Sequence, residues 1–145
     1  MKVLACDVGP GFVRAEELFR ESDVISIHLP SNADTRHFIN ETRLSWMKPT
    51  AVLINTARGA VLDEAALYDA LAARRLAGAA LDVFEIEPYQ PVAPGKDLRT
   101  LDNVVMTPHI GSNTREANRR MAEMCLENVR HFLAGELKQL TRVSV

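Results

Sequence analysis

Short apolar runs alternate with longer amphipathic stretches along this chain. The runs are Val3-Leu4-Ala5-Cys6, Val24-Ile25-Ser26-Ile27, Val52-Leu53-Ile54, Ala79-Ala80-Leu81 and Val104-Val105-Met106. They are mostly β-branched or small and apolar on both faces, which predicts strands of a buried parallel sheet. The stretches between them predict helices. The clearest runs from Asp63 to Arg75, with Asp63 as its cap, Leu67, Ala70 and Leu71 as its buried stripe, and Gly78 as its stop. A longer helix is predicted from Thr114 to Ala134, opened by Asn113 with Glu116 three positions on, in the manner of a capping box. Its stripe of Ala117, Met121, Met124, Cys125, Val129, Phe132 and Leu133 reads as core. Weaker helical patterns lie at Arg14 to Arg20 and Glu41 to Trp46, and the proline-rich stretch from Glu87 to Thr100 reads as an irregular loop. Strand and helix alternating in this way predict an α/β fold with a parallel sheet and no internal domain boundary.

Composition narrows the picture only a little. The 145 residues suffice for one domain, and a net charge of −2 implies neither nucleic-acid nor membrane partners. Met1-Lys2 leads straight into a run too short for a secretory leader or a membrane span. Cys6 and Cys125, far apart and outside any CxxC spacing, read as reduced, buried cysteines of a cytoplasmic protein, with no metal site.

Chemistry collects where the strands end. The ends are Asp7, His28-Leu29-Pro30, Asn55-Thr56-Ala57-Arg58-Gly59, Asp82 and Thr107-Pro108-His109-Ile110-Gly111. In a parallel sheet these ends share one edge, where open α/β sheets bind ligands. Arg58 suits a substrate carboxylate, His109 suits proton transfer near neutral pH, and Glu87 suits orienting His109. Plainer readings stand beside these: a surface ion pair for Arg58, a helix cap for His109, a turn cap for Asp82, and turn chemistry for Asp7 before Gly9-Pro10-Gly11. His37 and His131 carry no motif.

Three motifs in order, Asn55 to Gly59, Gly78 to Pro88 and Thr107 to Gly111, resemble the D-isomer-specific 2-hydroxyacid dehydrogenases. The resemblance implies a Rossmann-like domain that binds NAD and moves a hydride to or from C2 of a small 2-hydroxy or 2-keto acid. It implies that Arg58 holds the substrate carboxylate, that His109 is the acid/base and that Glu87 is its partner. By the same resemblance Asp82 meets the nicotinamide carboxamide and Asp7 the adenosine ribose, while His28, Pro30, Thr56 and Gly111 line the cofactor.

Two family features are not found within these residues. A first strand with its glycine-rich phosphate turn is one, and the substrate domain is the other. Gly9-Pro10-Gly11 follows the wrong strand, Pro10 offers no N–H, and Arg14 holds the third glycine's place. The expectation is therefore an incomplete Rossmann-like fold with little turnover on its own. In the strand order 3-2-1-4-5-6, the runs at Val3 and Val52 would lose a shared neighbour and expose two edges, to be paired with each other or by a second copy or another chain. The competing expectation is a non-catalytic binding or dimerisation module.

Overall fold

A computed structural model describes residues 1–7 and 11–141. The chain divides into two compact units, Met1–His109 and Ile110–Val145. In the first unit the order is α1 (Ala15–Glu21), β1 (Val24–Ile27), α2 (Glu41–Trp46), β2 (Val52–Asn55), α3 (Glu64–Ala72), β3 (Gly78–Leu81) and β4 (Val104–Met106). The four strands form one parallel sheet in the order β1-β2-β3-β4. All their carboxyl ends therefore lie along one edge, as the strand-end argument requires.

Local chemistry sets the helix starts. The Asn40 side chain accepts the Arg43 N–H at 3.1 Å, and the Asp63 side chain accepts the Ala66 N–H at 2.9 Å. Each satisfies one of the donors that a helix start leaves open. The α3 stripe is core as expected: Leu67, Ala70 and Leu71 are buried. Gly78, however, is not the helix stop. Arg74 takes the left-handed conformation after α3, whereas Gly78 opens β3, where a Cβ would sit 2.8 Å from the Asn103 carbonyl. The loop after β3 is also less irregular than expected. Leu98–Thr100 makes a 3-10 turn, and buried Leu98 donates its N–H to the Tyr89 hydroxyl at 2.8 Å.

Strand register sorts the sheet into two unlike faces. Ile25, Ile27, Leu53, Asn55, Ala79 and Leu81 are buried, and their apolar members pack with Phe19, Leu44, Leu67 and Leu71 in one core. The opposite face carries Val24, Ser26, Ile54, Ala80 and Val105, of which Val24 and Val105 are well exposed. The apolar runs thus alternate in burial, although their composition predicted two buried faces. Periodicity marks a surface as apolar without saying what covers it.

The strand expected at Val3 to Cys6 does not form among the described residues, where the Val13 N–H donates to the Ala5 carbonyl at 3.0 Å. The predicted pair of bare edges is corrected with it. β1 pairs residue for residue with β2, from Val24 with Val52 to Ile27 with Asn55, so β2 is an interior strand. The outer strands of the sheet are β1 and β4. The cause is register: all four β1 residues find partners on β2, whose other side is taken by β3.

In the second unit, α4 spans Arg115–Leu133. Its cap is Thr114, whose side chain accepts the Ala117 N–H at 3.1 Å, rather than the expected Asn113, whose side chain takes the Asn118 amide. No α4 residue is buried, so its stripe is not core among the described residues. Cys6 is half-buried and Cys125 exposed, against the expectation of two buried thiols, and both are free. Gly9 and Pro10, and Arg142 onward, lie outside the described residues.

Candidate functional site

The turn after β2 is built on Asn55. Its side chain is fully buried, donates to the Arg58 carbonyl at 3.1 Å and accepts the Ala57 N–H at 3.1 Å. This closed turn projects Arg58 outward, with Nη1 on the Ala57 carbonyl at 2.6 Å. Among the described residues Arg58 makes no ion pair, so the surface-pair reading has no partner. Gly59 then runs against the chain leaving β3. A Cβ on it would fall 1.9 Å from the Phe84 carbonyl carbon and oxygen, an approach that only glycine permits.

Leaving β3, Asp82 accepts the Thr107 hydroxyl at 2.5 Å, which ties the ends of β3 and β4 together. Past β4, His109 adopts a left-handed conformation with φ 53°. Its Nδ1 meets Glu87 Oε2 at 2.8 Å, and the other Glu87 oxygen accepts the Phe84 N–H at 3.0 Å. The bond from His109 is the largest influence on Glu87 and holds its carboxyl below the usual carboxylate range. An ionised carboxylate only accepts, so Nδ1 carries the proton and Nε2 stays available. His109 is not a helix cap, since Thr114 fills that role for α4.

Arg58, Glu87 and His109 line a single cavity of about 280 Å³, together with Ser31 and Phe84. A hollow of about 470 Å³ follows His28, Leu29, Pro30, Ser31, Ala57 and Arg58, past the ends of β1 and β2. Arg58 and Ser31 belong to both, so the two spaces suit an elongated ligand laid across the strand ends. A larger hollow of about 580 Å³, walled by Phe84, Tyr89, Met106 and Pro108, also reaches Glu87 and His109.

His28 and Pro30 line the second of these spaces. His28 is exposed, with Nε2 on Ser26 Oγ at 3.0 Å, and the Pro30 carbonyl accepts the Thr35 hydroxyl at 2.6 Å. Thr56 is exposed just past β2 and does not line the cavities that Arg58 shares. Asp7 ends no strand of the sheet, and Gly111 belongs to the second unit. Three residues of this region carried no role in the sequence reading: Asn55, Glu64 and Glu85. A buried amide between a strand and an arginine was the available signal for the first. For the two acids there was none.

The family model for the NAD binding domain of D-isomer specific 2-hydroxyacid dehydrogenases matches residues 4–111. The chain belongs to that family. Glyoxylate reductase of Thermococcus litoralis is 49% identical over 131 residues, covering 90% of this chain and 38% of that enzyme. Hydroxypyruvate reductase of Thermotoga maritima is 44% identical over 123 residues, covering 85% of this chain and 40% of that enzyme. D-lactate dehydrogenase of Aquifex aeolicus, solved with NAD and lactic acid, superposes with a TM-score of 0.85 at 39% identity, over 97% of this chain and 48% of that one. This dehydrogenase segment thus spans about two fifths of the length of the curated relatives it matches. It is a Rossmann-like NAD-binding domain, and its four parallel strands are the part of that fold described here. No described helix is long and apolar enough to cross a membrane.

Proposed function

We infer that this segment carries the reacting half of an NAD-dependent oxidoreductase acting at C2 of a small 2-hydroxy or 2-keto acid. The observation that carries the reading is the shared cavity of Arg58, Glu87 and His109. Bound NAD would supply or accept the hydride. The Arg58 guanidinium holds the substrate carboxylate in two parallel hydrogen bonds and draws charge from the keto oxygen. His109 Nε2 gives its proton to that oxygen during reduction and takes it back during oxidation. Glu87 fixes the imidazole through Nδ1 and stabilises its charged form. Asp82 would meet the carboxamide of the nicotinamide. Asp7 would take the adenosine ribose, and His28 and Pro30 would give backbone walls. The enzyme that carries the segment works in the cytoplasm. Residues 1–145 hold no glycine-rich phosphate turn, so their own grip on the pyrophosphate is weak.

NADH oxidation tests this reading. A family enzyme carrying the segment should lose NADH absorbance with glyoxylate, hydroxypyruvate or pyruvate, whereas the 145-residue chain alone should show little turnover. Failure of the complete enzyme with all three acids would remove the substrate class. A second reading, a module that pairs with another copy, is favoured by the outer edge of β1 and exposed Val24. Sedimentation showing only monomer would count against it.

A further inference from the structure

Two neighbouring peptide N–H groups carry the turn that leaves β3. Phe84 N–H donates to Glu87 Oε1, and the next donor, Glu85 N–H, reaches Glu64 Oε1 at 2.5 Å. Glu64 opens α3 and is only 2% exposed. Its own N–H returns to Glu85 Oε1 at 3.1 Å, so the two acids grip each other reciprocally. Glu85 Oε2 meets His37 Nε2 at 2.7 Å, with Arg36 at 4.0 Å. His37 is brought there by the parallel bridge of Ile39 with Leu62 and by its own N–H on the Ala60 carbonyl at 2.8 Å. Gly59 presses on the same Phe84–Glu85 peptide.

Stability alone does not account for Glu64. A first-turn acid gains a little from the helix dipole, and it gains that while exposed. Here the carboxyl is buried, and its Oε2 has no hydrogen-bond partner. Burial pushes it up to about 7, with Glu85 and Glu87 adding to the rise against the Glu85 N–H. Leucine would fill the space without that cost.

We propose that Glu64 is a positioning residue, whose carboxyl holds the Glu85 amide and so sets the turn that presents Glu87 to His109. Through the Gly59 contact the same peptide also seats the Arg58 turn. The roles of Arg58, Glu87 and His109 rest on the functional reading above, but the brace rests on the geometry alone.

The test is NMR on the isotope-labelled 145-residue chain, with far-UV circular dichroism as the check on folding. Amide hydrogen exchange at Phe84 and Glu85 and titration of the Glu87 carboxyl are read in wild type, Glu64→Gln and Glu64→Leu. In wild type both amides are protected. Gln keeps an oxygen for the Glu85 N–H, so protection and the low Glu87 titration persist. Leu fills the volume with no acceptor. It speeds Glu85 exchange by roughly tenfold or more, the worth of a hydrogen bond to a carboxylate, and lets the Glu87 titration climb back to the ordinary carboxylate range. A folded Leu variant with both readouts unchanged overturns the brace, and so does a Gln variant disturbed as much as Leu. If Leu does not fold, an unprotected Glu85 amide in wild type or a raised Glu87 titration in Gln overturns it, and their opposites support it. None of these readouts involves NADH. A braced turn in an enzyme that reduces none of the acids sinks the functional reading alone, and an active enzyme with an unbraced turn sinks this proposal alone.

Discussion

Glu87 engages Nδ1 of His109 and leaves Nε2 for the proposed proton transfer. That division makes the two residues separable by mutation. In a family enzyme carrying this segment, His109→Ala removes the proposed proton carrier, and turnover should fall by roughly 100- to 10,000-fold. Arg58→Lys keeps the charge but loses the planar fork, so kcat/KM for a 2-keto acid should fall by roughly 10- to 100-fold. Steady-state kinetics checks both, and an unchanged rate removes the role concerned. Glu64 makes a different kind of prediction. Its carboxyl titrates near the ordinary 4.5 when unfolded and about 7 when folded. A raised acid means that the folded state holds its proton longer. Folded stability therefore falls as pH climbs from about 4.5 to about 7, by on the order of 3 kcal/mol. Glu64→Gln has no such proton to lose. Urea unfolding at pH 5 and pH 8 should show the variant gaining on wild type at the higher pH, and a constant difference would contradict the burial argument.

Elements were legible where a local signal had a local cause. The strands at Val24 and Val104 and the helix at Glu41 fall where periodicity put them. Asp63 and the buried stripe of α3 were equally plain. What escaped depends on partners distant along the chain. Gly78 looked like a helix stop because it follows one, yet its reason is the Asn103 carbonyl across the sheet. The run at Val3 had strand composition, but no strand of the sheet pairs with it. Of the candidate site, the Arg58, Glu87 and His109 grouping was readable from the strand-end rule, while the hidden scaffold of Asn55, Glu64 and Glu85 was not. Gly59 measures how tightly these elements meet. Gly59→Ala drives a methyl into the Phe84 carbonyl, and should cost about 3 kcal/mol or more because backbone rather than a movable side chain is in the way. Thermal unfolding reads the loss, and a drop no larger than that of an ordinary surface substitution would mean the two turns can part freely.

At the scale of the whole molecule, one face of the sheet is core and the other is apolar yet open among the described residues. Among the described residues no strand pairs with the outer edge of β1, beside exposed Val24. Edges of this kind take up strands unless a charge blocks them. Val24→Lys should therefore shift sedimentation of the chain toward monomer, and identical profiles would place any association elsewhere. The consecutive amides at Phe84 and Glu85 carry a further consequence, for how this protein family varies in length. They serve two different carboxylates, one downstream in the same turn and one on a distant helix. Inserting or deleting a single residue between Asp82 and Glu87 would hand each amide to the wrong acceptor. Gains and losses of residues among natural relatives should accordingly fall beyond Tyr89, in the exposed approach to Asp97, and leave the spacing before it untouched.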